Sequence, residues 1–240
     1  MNKYSLVIFD LDGTTANTDE MIVQSLNALY DLYRDGKRTP KEEIYYFSGP
    51  PIKDTLIKEF PHMDYDFILS EYRRISSQLY EKTVTPYPYC YEVIKELKEN
   101  GVRLFVNTNK VHRLSILALD IVGLTTLMEG IIASDDVNEM KPSPEGVLKI
   151  MDIVGIKDKS QVLYIGDNGI DYLTASNAGI DCALCYWGPR KIDEKYQPKY
   201  NILLKDDKSY PWIAVTKEDF PRVFSTRRPD ASKMHLFGPY

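Results

Sequence analysis

A chain of 240 residues with 43% hydrophobic and 27% charged content has room for one large globular domain or two modest ones. Lys+Arg 30 against Asp+Glu 35 gives a net charge of -5, which removes the electrostatic case for binding nucleic acid or an anionic membrane. Three cysteines are too few for a disulfide framework and point to a reducing cytoplasm; the N-terminus leads into a strand rather than a signal peptide, and no apolar run approaches membrane-spanning length.

The first predicted element is a buried parallel strand, because Leu6, Val7, Ile8 and Phe9 are consecutive apolar residues closed by Asp and Gly. It runs into Asp10-Leu11-Asp12-Gly13-Thr14. Asp10 and Asp12 are two apart and project to the same side of extended chain. Two carboxylates at a buried strand end repel each other and are costly to desolvate. A hard cation that leaves room for an anionic substrate removes that cost. Gly13 lets the backbone approach a ligand, Thr14 offers a hydroxyl, and loop N–H groups can cradle a phosphate. Taken alone, Asp-x-Asp also fits a loop end with solvated carboxylates.

Residues 17–33 carry a helical stripe of Met21, Ile22, Leu26, Leu29 and Tyr30, followed by a polar loop to Pro40. A short helix over 41–47 is broken by Ser48-Gly49-Pro50-Pro51, and further helices are expected over 52–60 and 64–83. A helical block of this size after the first strand predicts an inserted all-helical cap domain over 16–83. From residue 84 helix and strand alternate, with strands over 102–106, 130–133, 161–165 and 180–186 and an edge strand over 201–204. That alternation predicts an α/β core with a doubly wound parallel sheet, built from 1–15 and 84–216. Residues 217–240 read as a polar, Pro-bearing C-terminal extension with no assigned function. Cys182 and Cys185 read as core residues with diverging thiols, since positions three apart on a strand face opposite sides. His62, His112 and His235 are scattered and receive no metal or catalytic role.

Open parallel sheets place their active sites beyond the C-terminal strand ends. In this chain four such ends lead to Asp10-x-Asp12, to Asn107-Thr108-Asn109-Lys110, to Lys141-Pro142-Ser143-Pro144 and to Gly166-Asp167-Asn168-Gly169-Ile170-Asp171. Asp167 and Asp171, four apart at a helix start, share one face. Each motif has a plain structural explanation in isolation: Thr108 as a helix cap, Lys141 as a solvated loop lysine, Asp167 and Asp171 as first-turn acids. Together they supply what phosphoryl transfer through a covalent intermediate needs: a carboxylate nucleophile, a second acid/base carboxyl, a divalent ion, and a hydroxyl and an ammonium for the non-bridging oxygens.

In order and spacing these motifs resemble the haloacid dehalogenase superfamily, specifically its small-helical-cap phosphatases of the phosphoglycolate phosphatase type, over roughly residues 4–190. The resemblance implies that Asp10 is the nucleophile and Asp12 the general acid/base, with Thr108 and Lys141 binding the phosphoryl group. It implies that Asp10, the Asp12 backbone carbonyl and Asp167 hold Mg2+, with Asp171 supporting or joining them. Gly13, Thr14 and Asn109 would line the phosphate, and Ser48, Gly49 and Lys53 in the cap loop, with Tyr45 and Tyr46 nearby, would meet the substrate. Asn168 stands where the family usually has Ser or Thr, and Asn107 replaces a commoner apolar or small residue.

The expected activity is therefore Mg-dependent hydrolysis of a small phosphomonoester, phosphoglycolate-like, with the chain a monomer or homodimer that binds neither nucleic acid nor membrane. A phosphomutase, a nucleotidase or a pyrophosphatase of the same superfamily is the alternative. Further rivals are a phosphonatase using Lys53 as a Schiff base, a dehalogenase, which has no need of Asp12, and a non-catalytic binding protein.

Overall fold

The computed structural model describes residues 4–204 and the strand backbone of 212–216. The C-terminal extension expected over 217–240 lies outside the described residues. The chain opens with β1 (Leu6–Phe9) and a two-residue strand, β2 (Ala16–Asn17). Four helices follow: α1 (Asp19–Tyr33), α2 (Lys41–Ile44), α3 (Ile52–Glu59) and α4 (Tyr65–Thr83). The return is β3 (Thr85–Pro86) into α5 (Cys90–Glu99). Next come β4 (Arg103–Asn107), α6 (His112–Ile121), β5 (Gly130–Ile132), α7 (Glu145–Val154), β6 (Val162–Gly166), α8 (Gly169–Ala178) and β7 (Asp181–Cys185). The described elements close with β8 (Tyr200–Leu204) and β9 (Trp212–Thr216).

The strands form one sheet in the order β5-β4-β1-β6-β7-β8-β9. All pairings from β5 to β8 are parallel, and β9 joins antiparallel. β1 lies between β4 and β6, where the winding direction reverses, so its C-terminal end opens on a crevice. Successive residues bury into opposite faces: Val7 and Phe9 join one apolar cluster, Leu6 and Ile8 the other. The two cysteines of β7 divide as strand geometry requires, Cys185 into the first cluster and Cys182 into the second, and both are free thiols. The first cluster continues into the helical insertion, where Leu26, Leu29 and Tyr30 of α1 join Ile68, Ile75 and Tyr80 of α4.

Two expectations are corrected. Residues 201–204 do not form an edge: β8 is flanked by β7 and β9. Trp212-Ile213-Ala214-Val215-Thr216 is a short run suited to a strand, but its signal is submerged in polar, Pro-bearing surroundings. The first helix starts at Asp19 rather than residue 17, because Ala16 and Asn17 pair with Pro86 and Thr85. This small ribbon ties together the two points where the chain leaves the sheet for the helices and returns. No helix among the described residues is long and apolar enough to cross a membrane.

Candidate active site

The loop after β1 is wound tightly by its own backbone. The Leu11 carbonyl accepts from Thr14, Thr15 and Ala16 N–H, and Thr15 Oγ1 donates to the Asp10 carbonyl at 3.2 Å. Gly13 sits at φ +90, and a Cβ there would lie 2.3 Å from Asp167 Oδ2, so the loop can pass this close only with glycine. This packing brings the end of β1 against the end of β6.

Asp10, Asp167 and Asp171 are all buried, and one ligand oxygen from each lies within 4.8 Å of the others. Lys141 Nζ donates to Asp10 Oδ1 and to Asp171 Oδ1, both at 2.7 Å. Asp171 Oδ2 is occupied by the N–H groups of Asp167 and Asn168, each at 3.1 Å, so Asp171 braces the cluster from behind. Asp167 accepts Thr14 Oγ1 at 3.4 Å and Arg190 Nε at 2.6 Å. Arg190 also bonds Asp19 and the Tyr45 carbonyl, joining the strand-end cluster to the start of α1.

Burial pushes the Asp10 carboxyl up to about 8; Lys141 opposes this, while Asp171 and Asp167 add to it. Burial likewise pushes Asp167 up to about 6, against the pull of Arg190. Burial alone would depress the Lys141 ammonium, but Asp10 and Asp171 hold it well above the ordinary lysine range. The cluster thus sets four carboxylates, Asp10, Asp19, Asp167 and Asp171, against two cations, Lys141 and Arg190. Asp10 Oδ2 is buried with no hydrogen-bond partner. An excess of buried negative charge, an orphaned carboxylate oxygen and an all-oxygen donor set fit a hard divalent cation such as Mg2+.

The Asp12 carboxylate stands apart from this cluster. It accepts Lys110 Nζ at 2.9 and 2.6 Å on its two oxygens, and Thr18 Oγ1 at 2.7 Å. Asp10, Asp12, Thr108 and Lys110 line one cavity of about 250 Å3, which lies between the strand ends and the helical insertion. Ser48, Gly49 and Lys53 line it from the insertion side. The loop carrying them is pinned to the sheet: Asn168 Nδ2 donates to the Ser48 carbonyl at 3.0 Å, and Asn109 Nδ2 to the Gly49 carbonyl at 3.1 Å.

The structure therefore brings Asp10, Asp12, Thr108, Lys141, Asp167 and Asp171 to one rim. It gives other contacts to some residues expected to touch a substrate. Thr14 is fully buried and its hydroxyl faces Asp167. Asn109 spends its side chain on backbone: its oxygen accepts from Lys141 N–H at 2.9 Å and its amide donates to Gly49 and Lys141 carbonyls. Asn168 caps α8, accepting from Ile170 N–H at 2.7 Å, and Asn107 Oδ1 is the atom that a Cβ at Gly146 would strike first. Tyr46 is exposed, with its hydroxyl accepting from Lys191 N–H.

Sequence reading assigned no role to Lys110, Thr18, Asp19 or Arg190. Lys110 was visible within its motif, but its pairing with Asp12, 98 residues away, is not. Arg190 follows β7, the neighbour of β6, and extending the strand-end argument to a fifth strand reaches it.

The sequence profile of the haloacid dehalogenase-like hydrolases matches residues 7–185. Pyrophosphatase PpaX of Halalkalibacterium halodurans is 34% identical over 200 residues, covering 82% of this chain and 92% of that protein. PpaX of Bacillus pumilus is 32% identical over 207 residues, covering 85% and 94%. Among solved structures, a haloacid dehalogenase-like family hydrolase from Streptococcus pneumoniae superposes with a TM-score of 0.72 at 22% identity, covering 85% of this chain and 96% of that one. CbbY from Rhodobacter sphaeroides, in complex with phosphate, gives 0.71 at 20% identity, covering 85% and 94%. Four ordered motifs, the sheet that gathers them and a family match spanning most of its length thus make this chain a member of the haloacid dehalogenase-like hydrolase family.

Proposed function

We propose that this hydrolase is a Mg2+-dependent phosphatase that transfers the phosphoryl group of a small phosphomonoester to Asp10 and then to water. The observation that carries the reading is the Asp10–Lys141–Asp171 ion cluster, set against Asp167 at the sheet crevice, with Asp12 and Thr108 on the same cavity. The Asp10 carboxylate, one oxygen of which has no competing hydrogen bond, attacks phosphorus. As the P–O ester bond breaks, the departing oxygen takes a proton from Asp12. Asp12 then takes a proton from the attacking water, a new P–O bond forms, and the Asp10–phosphorus link breaks to release phosphate. Thr108 and Lys141 hold the non-bridging oxygens as charge builds. Asp10, the Asp12 carbonyl and Asp167 would hold Mg2+, with Asp171 behind them; the ion supplies neutralisation of the phosphate charge. Residues 16–83 act as a cap that shields this exchange from bulk water.

Inorganic pyrophosphate is the second reading, favoured by the PpaX relatives. A phosphate-release screen over metabolite esters and pyrophosphate, with Mg2+ and with Asp10→Asn as the blank, tests both. Release from an ester that is absent in the blank supports the proposal. Release equal to the blank for every compound rejects it.

A further inference from the structure

The cavity above Asp10 and Thr108 is built mostly of carbon. From the insertion it takes Ile22, Phe47, Tyr65, Leu69 and Tyr72, and from the core Leu114. Its volume, about 250 Å3, is close to the lower end of the roughly 300–1,000 Å3 typical of small-molecule sites. Two cations also line it from the insertion, Lys53 and Arg73. Among the described residues Arg73 makes no side-chain ion pair or hydrogen bond, and Lys53, 5.5 Å over the Tyr65 ring, has no carboxylate partner. Ser48, buried at 3% exposure on the same wall, has a hydroxyl with no hydrogen-bond partner. Lys141 and Lys110, in contrast, are committed to Asp10, Asp171 and Asp12.

An apolar wall strips water from whatever it faces, so it favours a carbon body over a second bare phosphate. Cations without acidic partners on the insertion side favour a negative group at the far end of that body. An unpartnered buried hydroxyl on the same wall favours a polar atom on that body.

We propose that the substrate is a phosphomonoester of an alcohol whose body is apolar and ring-sized and whose far end carries a carboxylate or second phosphate held by Lys53 and Arg73. Small, wholly polar compounds such as inorganic pyrophosphate and phosphoglycolate are then poor substrates. The proposal rests on the phosphatase reading of the site and adds the identity of the leaving group.

The test uses the full chain with Mg2+ and measures kcat/KM for five compounds: methyl phosphate, benzyl phosphate, 4-carboxybenzyl phosphate, phosphoglycolate and pyrophosphate. Benzyl esters are chosen over aryl esters because their leaving oxygen is an ordinary alkoxide, so binding and not intrinsic reactivity sets the order. Burying the ring should favour benzyl over methyl phosphate by on the order of a hundredfold. The carboxylate should add roughly tenfold, and that added factor should vanish in Lys53→Ala/Arg73→Ala. Both side chains are exposed, so the double variant keeps the fold. Faster turnover of pyrophosphate or phosphoglycolate than of the benzyl esters overturns the proposal and leaves the phosphatase reading standing. An unchanged carboxybenzyl-to-benzyl ratio in the double variant overturns the role of the two cations. Release from none of the five overturns this inference, while the phosphatase reading falls only if the wider ester screen also matches the Asp10→Asn blank.

Discussion

Lys141 Nζ lies 2.7 Å from Asp10 Oδ1 and the same distance from Asp171 Oδ1, so one ammonium links the end of β1 to the start of α8. Each of the three side chains is essentially excluded from solvent. Removing one partner from such a cluster leaves uncompensated buried charge. Lys141→Met should therefore lower the stability of the metal-free protein by about 3–5 kcal/mol, measured by urea denaturation. Phosphate release should fall by about 100-fold or more, since a donor to the phosphoryl oxygens is lost. A variant with unchanged stability would mean that Lys141 is not the cluster's counter-ion.

Arg190 makes a second, separate test. Its guanidinium joins Asp167, 23 residues before it in sequence, to Asp19, 171 residues before it. Arg190→Ala should destabilise the fold by about 3–5 kcal/mol, because two buried carboxylates lose their cation. Lysine should not restore it, since Arg190 reaches Asp167 and Asp19 from two separate nitrogens of its planar guanidinium, a spread that a single ammonium lacks. Arg190→Leu combined with Asp19→Leu should recover part of the loss, which a double-mutant cycle by thermal denaturation would show as coupling. Additive losses would mean that the two residues do not act as a pair.

Metal affinity should depend on pH with a defined sign. Asp10 and Asp167 carry folded-state values of about 8 and about 6, both above the ordinary carboxylate range. A raised value stabilises the metal-free fold at low pH, and that contribution is lost as pH rises through the folded values. Mg2+ binds the deprotonated groups, so its affinity should rise across the same interval. Thermal-shift titrations at about pH 5.5 and about pH 8.5 should show a larger Mg2+-induced gain at the higher pH. Equal gains at both would contradict the assignment of Asp10 and Asp167 as ligands.

Asp12, held by Lys110 and Thr18 away from the carboxylate cluster, is expected to act on the leaving group. Asp12→Asn should cost about 10²–10⁴-fold on an alkyl phosphate. On 4-nitrophenyl phosphate, whose leaving group needs little protonation, the loss should be much smaller. Steady-state rates on the two esters compare these directly, and equal losses would remove the acid role.

Much of this arrangement was legible in the sequence because it obeys local rules. Leu6–Phe9 is apolar without interruption, as a strand buried on both faces must be, and acidic, hydroxyl and ammonium residues recur where such strands end. Asp10, Asp12, Thr108, Lys141, Asp167 and Asp171 were named on that basis, and the fold gathers them. Contacts fixed only by tertiary packing were not legible. Nothing near Arg190 announces Asp19 or Asp167, and nothing near Asn109 shows that its amide is spent on the Gly49 and Lys141 backbone. Strand β9 was missed for a different reason: five residues amid prolines and charges carry too weak a pattern, and pairing with β8 decides their state.

The central claim is that Asp10 carries the phosphoryl group during turnover. Acid quenching of the enzyme during hydrolysis of a 32P-labelled ester, followed by borotritide reduction and peptide mapping, tests it at the atom concerned. The account predicts label in the peptide containing Asp10, recovered as tritiated homoserine at position 10 and missing from Asp10→Asn. Label at another residue, or phosphate release by Asp10→Asn at the wild-type rate, would contradict it.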